Sequence, residues 1–228
     1  MKKFEKVFKE KERYRKELLN LNFDEKLQIL SQLQERAVFF GHTDVRFKFD
    51  DDFKFENIID IIDDLKSNNL IEDYVLGGSV ALLYYTNPDF LTTDVDIFVT
   101  PNNNSPIFNL SPIYDYLKNN YNAIEKKEWI EVSTIPLQFL APDKDLHGDA
   151  FKDAQEVEVN GKKFKILTLE YLIAIMLLVN NKKYKARLIQ VIEENNFDIN
   201  KLEPILKKYN IKYNLLDKWN RINKILND

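Results

Sequence analysis

Residues 75–99, VLGGSVALLYYTNPDFLTTDVDIFV, constrain the fold of this chain more than any other stretch. The chain has only 5 glycines in 228 residues, yet Gly77 and Gly78 are adjacent and follow an aliphatic run. A second aliphatic run then carries Asp94 and Asp96, one residue apart. A strand has no packing use for two carboxylates on one face, because burying them removes their hydration. The pattern therefore indicates a functional site as well as a sheet.

Hydrophobic periodicity and turn residues predict the order of elements in this stretch. The order is a strand (Tyr74–Leu76), the glycine pair, a short helix (Ser79–Tyr85), a turn (Asn87-Pro88) and a strand (Asp94–Val99). Residues i and i+2 of a strand point the same way, so Asp94 and Asp96 share one face about 7 Å apart. Their mutual repulsion is resolved by a divalent cation, and Mg²⁺ or Mn²⁺ is therefore the predicted cofactor.

The glycine pair supplies the complementary half of the predicted site. Backbone N–H groups and the positive end of the following helix approach a polyphosphate closely where no Cβ intervenes. Gly77, Gly78 and Ser79 are therefore predicted to contact a polyphosphate, near the aspartates. Two plainer interpretations stay open: a tight turn for the glycines, and solvated carboxylates at a strand edge for Asp94 and Asp96.

The remaining pattern predicts an α+β fold: a small mixed sheet with flanking helices and a C-terminal helical bundle. Three segments are expected: N-terminal helices (1–48), the core (49–166) and a C-terminal helical domain (167–228). Residues 3–38 read as helix with a break capped by Asn22 or Asp24, and 40–53 as a short strand or linker. Further strands are expected near Trp129–Val132 and Leu137–Leu140, then a hairpin turning at Asn160-Gly161, then helices from Thr168 onward.

Composition excludes several classes of site. The chain has no cysteine, so disulfides, thiolate metal sites and cysteine nucleophiles are ruled out. Its two histidines, His42 and His147, cannot form a histidine-rich metal centre, and His147 is expected in a polar loop without chemistry. The longest apolar run, Tyr171–Val179, is well short of the ~20 residues that span a bilayer. No hydrophobic signal core is present, so a cytoplasmic protein without membrane contact is expected.

The combination of GGS, helix, turn and DxD strand resembles the motif of the nucleotidyltransferase superfamily. The nearest resemblance is to bacterial proteins of the AbiEii/MenT kind and their uncharacterised relatives, many linked to toxin–antitoxin or phage-defence systems. Two further segments resemble a strand and the C-terminal helices of those proteins, and a third resembles a helical segment encoded next to or fused to them; the resemblance covers about two thirds of the chain. The segments are STIPLQFLAP, ILTLEYLIAIMLLVNNKKYKARLIQVIEENNFDINKLEPILKKYNI and RYRKELLNLNFDEKLQILSQLQERA.

The resemblance implies a Mg²⁺-dependent transfer of NMP from an NTP to a hydroxyl of RNA such as tRNA, of a protein or of a small molecule. Asp94 and Asp96 would hold the metal and carry catalysis. Gly77, Gly78 and Ser79, together with Lys183, would bind the nucleotide. A protein partner is a further expectation of the toxin–antitoxin setting.

The sequence departs from the family pattern at several positions. The third carboxylate of many members corresponds to Gln138, with Glu131 as a candidate replacement. A family lysine corresponds to Met176, and an Arg-x-Lys-Asp element is reduced to Lys183, with Lys182, Lys185 and Arg187 nearby. These departures favour an alternative, a catalytically weak nucleotide-binding or regulatory member. A third interpretation is a nucleic-acid-binding accessory that uses the basic N-terminal helix.

Overall fold

The computed structural model describes residues 10, 13–40, 54–88, 90–102, 108–143, 145–194 and 196–227. The strand or linker predicted after Phe40, across 41–53, lies outside the described residues, as does most of the helix predicted before residue 13. Residues 13–19 are helical, as expected.

The helices that follow are α1 (Phe23–Phe39), α2 (Phe55–Ser67), α3 (Gly78–Tyr85), α4 (Ser111–Tyr121), α5 (Leu146–Lys152), α6 (Leu169–Val179), α7 (Lys182–Glu194), α8 (Ile199–Lys208), α9 (Asn210–Tyr213) and α10 (Leu215–Asn227). The strands are β1 (Ile71–Leu76), β2 (Val95–Pro101), β3 (Ile124–Glu125), β4 (Ile130–Val132), β5 (Ile135–Leu140), β6 (Gln155–Val159) and β7 (Lys162–Ile166).

These strands form one seven-stranded mixed sheet in the order β3-β4-β5-β2-β1-β7-β6. The central pair, β1 and β2, is antiparallel, and each of the two has a parallel partner, β7 and β5 respectively. Antiparallel pairs complete both edges. The mixed sheet with helices around it confirms the predicted α+β fold class.

Local sequence accounts for several element boundaries. Asn160 and Gly161 both adopt positive φ, at 51° and 76°, which is the backbone a two-residue hairpin turn between β6 and β7 requires. Asn22 begins α1 with a capping box: its side chain accepts from the Glu25 backbone at 2.9 Å, and the Glu25 carboxylate accepts from the Asn22 backbone at 2.8 Å. Of the two predicted caps, Asn22 is the one used.

The core runs through the sheet and into the helices on both sides. The apolar residues that recur at helical spacing in α2 are all buried: Ile58, Ile59, Ile61, Ile62 and Leu65. Buried side chains from Phe23 in α1 to Trp219 in α10 belong to one contiguous hydrophobic cluster. Among the described residues, none of the helices has the length and apolar content that crossing a membrane requires.

Candidate functional site

The glycine corner, Gly77-Gly78-Ser79, joins the end of β1 to the start of α3. The Gly77 backbone N–H donates to the Asp96 carbonyl at 2.9 Å, which ties the corner to β2. Gly78 has φ +55°, and a Cβ there would lie 1.6 Å from Oδ2 of Asp96. The Asp96 carboxylate is therefore packed directly against the glycine corner, and the two halves of the predicted site are brought together.

Asp94 directly precedes β2 and Asp96 is its second residue, and both alternate with buried aliphatic residues. Val95, Ile97 and Val99 are fully buried, whereas Asp94 and Asp96 are only half-buried. Burial and the charge of Asp94 raise the pKa of Asp96 to about 7, against the opposing pull of Lys183 and Arg187. The pair is thus short of positive charge, which is the condition that a bound cation would relieve.

Ser79 does not cap α3; the capping position is Gly77, and Ser79 is the second residue of the helix. Its side chain is buried, and its hydroxyl accepts a hydrogen bond from the Arg187 guanidinium at 2.7 Å. The other terminal nitrogen of Arg187 donates to the Leu91 carbonyl at 2.9 Å, in the loop that leads to Asp94. Arg187 therefore links α7 to both halves of the site.

Lys183 lies one helical turn before Arg187 on α7. Its side chain is exposed, but the environment still lowers its pKa, through partial desolvation first and the nearby Arg187 second. Asp94 and Asp96 oppose that shift, so Lys183 lies within electrostatic reach of both carboxylates. The position fits a cation that meets the phosphates of a ligand beside the aspartates.

A cavity of about 160 Å³ lies beside Asp96, between the sheet and the C-terminal helices. Its polar lining residues are Asp96, His147, Tyr184 and Arg187. The rest of the lining is mostly apolar and comes from α3, β2, β5, α6 and the short segment between β7 and α6: Leu82, Phe98, Leu140, Leu167, Leu172, Ile175, Met176 and Val179. We call this space the site cavity. Met176, the counterpart of the family lysine, contributes an apolar wall.

The structure corrects the prediction for His147. This residue lies in α5 and not in a polar loop: its ring stacks on Phe98 at 5.7 Å between centroids, and it lines the site cavity. Its Nδ1 is 2.8 Å from the Asp143 carboxylate. Two signals in the sequence could have indicated this residue: the i, i+4 spacing of Asp143 and His147, and a scarce glycine at 148.

Gln138 lies beside Asp96, as the resemblance implies. The two residues are register partners in the parallel β2–β5 pair, so they share a face of the sheet. Glu131 lies on β4, one strand farther from Asp96, and is opposite Pro136 of β5. Among the residues that the structure describes, no group of three or more His, Cys, Asp or Glu side chains could hold a metal ion. Within this described part of the chain, the aspartates therefore have no third acidic partner.

No protein-family model matches the sequence, and no curated protein is significantly similar to it. Solved structures do match by fold. One is the crystal structure of an antigenic nucleotidyltransferase-like protein from Paracoccidioides brasiliensis, which is 13% identical with a TM-score of 0.50. The match covers 74% of this chain and 86% of that one. The chain therefore has a nucleotidyltransferase-like fold.

Proposed function

We propose that this protein is a Mg²⁺-dependent nucleotidyltransferase that moves NMP from an NTP to a hydroxyl of RNA, protein or a small molecule. The observation that carries the proposal is the contact between Asp96 and Gly78, where a Cβ would fall 1.6 Å from the carboxylate. Because Gly78 has no Cβ, the Asp96 carboxylate can pack directly against the backbone of the glycine corner. This contact joins the proposed anion-binding corner to the acidic pair.

The chain's own residues would bind and orient the nucleotide. The first N–H groups of a helix have no partner within it, so the start of α3 at Gly78 offers donors to the phosphates. Lys183 adds positive charge on the facing helix. The apolar lining of the site cavity offers a surface for the nucleobase. Positioning and charge neutralisation are the main requirements of phosphoryl transfer.

The donor set suits Mg²⁺. Asp94 and Asp96 supply carboxylate oxygens, and Gln138 adds an amide oxygen on the same face. Mg²⁺ sites commonly use one or two carboxylates together with substrate phosphates and water, so the missing third acid does not disqualify the pair. When bound, the cation would supply charge neutralisation to the phosphates and the leaving pyrophosphate.

One observation favours a second candidate, a nucleotide-binding member without turnover. Gln138 lies where a third acid would lie, and a glutamine cannot take a proton. Such a protein would bind NTP at the same corner and use binding for regulation. The two candidates differ in one measurable property, which is the transfer of label.

The test incubates the purified protein with each α-³²P-labelled NTP, Mg²⁺ and total tRNA or bacterial lysate. Under the proposal, wild-type protein labels an acceptor, while Asp94→Asn and Asp96→Asn reduce the rate by about 100-fold or more. Chelating the Mg²⁺ abolishes the signal. Asp64→Asn is the matched control, because its carboxylate accepts hydrogen bonds from Tyr116 and Tyr121 at 2.8 Å and does not line the site cavity; it should transfer normally.

Equal labelling by wild type and Asp96→Asn would contradict the transferase. A rise in melting temperature with NTP and Mg²⁺, lost in Asp96→Asn but unaccompanied by labelling, would select the second candidate. In the toxin–antitoxin setting that we also propose, expression of wild type slows bacterial growth and Asp96→Asn relieves it.

A further inference from the structure

The proposed transfer needs a group that removes the proton of the acceptor hydroxyl. Gln138, beside Asp96, has no site for that proton. Asp96 and Asp94 are assigned to the metal, and Lys183 and Arg187 are cations. Of the polar residues that line the site cavity, His147 and Tyr184 remain. Burial and the nearby Asp96 raise the pKa of Tyr184, so the phenol keeps its own proton.

His147 is held in a fixed orientation. Its ring stacks on Phe98 with an interplanar angle of 26°, and Phe98 follows Asp96 by two residues on the same face of β2. The Nδ1 atom is 2.8 Å from Oδ2 of Asp143. Among the described residues, none hydrogen bonds to the other ring nitrogen, Nε2. The imidazole is therefore oriented from one side, and its second nitrogen is available to a ligand.

The Asp143 carboxylate decides which nitrogen carries the proton. Burial raises the pKa of this carboxyl, but hydrogen bonds from His147 and from the backbone of Asp145 outweigh burial and hold the pKa below its usual range. An ionised carboxylate only accepts hydrogen bonds, so Nδ1 is the protonated nitrogen. In the neutral ring Nε2 then has a free lone pair, as a base requires.

The backbone around His147 holds Asp143 close to the histidine ring. Oδ1 of Asp143 accepts from the backbone N–H groups of Asp145 at 2.9 Å and His147 at 3.2 Å, which places the carboxylate at the start of α5. A Cβ at Gly148 would lie 2.1 Å from the Asp143 carbonyl oxygen. Glycine at 148 is thus what allows the Asp143 loop to close on the histidine.

Resting on the proposed function, we propose that His147 is the general base of the transfer and that Asp143 is its positioning residue. Nε2 takes the proton of the acceptor hydroxyl as that oxygen bonds to the α-phosphorus. The bond from the α-phosphorus to the bridging oxygen breaks, and pyrophosphate leaves with the electron pair. The proton stays on Nε2 until it passes to solvent. The histidine thereby supplies what Gln138 cannot.

The test measures transfer to total tRNA, or to whichever acceptor the labelling assay identifies, together with binding of a non-hydrolysable α,β-methylene NTP. His147→Ala should lower kcat by about 100-fold while NTP affinity changes by less than about twofold. Added imidazole should restore part of the lost rate, and it should not accelerate wild type. His147→Gln, which keeps polarity and similar bulk, should lose kcat in the same way and shows that loss of folding is not the cause.

The Asp143→Asn variant tests whether Asp143 acts by positioning the His147 ring or only by supporting the start of α5. The amide oxygen can still accept the two backbone bonds at the start of α5, but the amide N–H₂ now faces Nδ1 and favours the tautomer with the proton on Nε2. We expect kcat to fall by about 10- to 100-fold with NTP affinity unchanged. Asp64→Asn, the matched substitution outside both α5 and the site cavity, should keep wild-type kcat.

The two proposals fail differently. If wild type transfers label, Asp96→Asn does not, and His147→Ala keeps wild-type kcat, the role of His147 is overturned and the transferase stands. A loss in His147→Ala that lies wholly in NTP affinity would also overturn it, because the residue would then be a binding group. If wild type itself transfers nothing, both proposals fall together.

Discussion

At the scale of single residues, glycine marks this site more clearly than the charged residues do. Of the five glycines in the sequence, three take positions where a Cβ would collide with a site residue. The collisions are with the Phe98 ring at Gly77 (2.7 Å), the Asp96 carboxylate at Gly78 (1.6 Å) and the Asp143 carbonyl at Gly148 (2.1 Å). A scarce residue is thus concentrated where backbone and functional side chains meet most closely.

Gly78→Ala should abolish transfer. Alanine at this position meets two penalties: left-handed backbone, worth roughly 1–2 kcal/mol, and displacement of Asp96 by the new Cβ. Gly161→Ala is the matched control, since its φ is +76° but nothing lies within 4 Å of an added Cβ. We expect urea unfolding to show a loss of about 1 kcal/mol or more in both variants, and only Gly78→Ala to lose activity.

Comparable activity in these two alanine variants would contradict the tight contact between the glycine corner and Asp96. A selective loss in Gly78→Ala, beyond what its stability explains, would support it.

At the scale of elements, the helix that carries His147 is short and depends on its neighbours. Two acidic residues of the α5 region, Asp145 and Asp149, are each held by a tyrosine and by the lysine just before it in the α8–α9 region. Tyr213 donates to Asp145 at 2.6 Å, and Tyr209 donates to Asp149. The two aspartates are four residues apart, and so are the two tyrosines, so the two sets of contacts lie one helical turn apart. We call them the two rungs of the α5 clamp.

The double variant Tyr209→Phe/Tyr213→Phe removes one hydrogen bond from each rung while the lysines remain. We expect a loss of about 1–3 kcal/mol in urea unfolding, because bonds to carboxylates are stronger than average. We also expect a fall in transfer rate beyond the loss of folded protein, because α5 positions the histidine.

The chain offers a matched control for the clamp. Tyr116 and Tyr121 both donate to Asp64 at 2.8 Å, and none of the three lines the site cavity. Tyr116→Phe/Tyr121→Phe should lower stability comparably and leave the rate per folded molecule unchanged. Equal rate losses in the two double variants would show that the clamp has no special part in positioning α5.

At the scale of the whole molecule, the sheet and the C-terminal helices share a core. Buried residues of α6, such as Leu172 and Ile173, belong to the same cluster as Leu76 of β1 and Leu82 of α3. Arg187 adds polar links from α7 to Ser79 and Leu91. The site cavity lies between these parts, so its shape depends on both. The segments predicted from the sequence, 1–48, 49–166 and 167–228, remain a prediction about boundaries.

We expect the protein to unfold in a single cooperative transition. The two tryptophans report on different segments: Trp129 precedes β4, and Trp219 is buried in α10. Urea titrations of Trp129→Phe and Trp219→Phe, followed by fluorescence of the remaining tryptophan and by far-UV circular dichroism, should give coincident curves within each variant. Fluorescence and dichroism that separate in the Trp129→Phe variant would show that the C-terminal helices unfold on their own.

Much of the fold could be predicted from local pattern. The β6–β7 hairpin follows from Asn160-Gly161, the start of α1 from Asn22, and the buried face of α2 from its isoleucines, because each depends on residues a few positions apart. The two-residue strand β3 and the helix α5 were not predicted. Their residues, such as Ile124 and His147, lack a strong hydrophobic period, and neighbouring elements decide their conformation.

By itself, the sequence determined that a glycine corner and an acidic pair lie close together, because the helix and turn between Gly78 and Asp94 are too short to carry them far apart. Only the tertiary structure decided what surrounds the pair. Arg187 from α7 and His147 from α5 line one cavity with Asp96, and Gln138 from β5 is the register partner of Asp96; these residues lie 42 to 91 positions from Asp96 in the sequence. Contacts over such distances are set by sheet register and helix packing, which a local pattern does not encode.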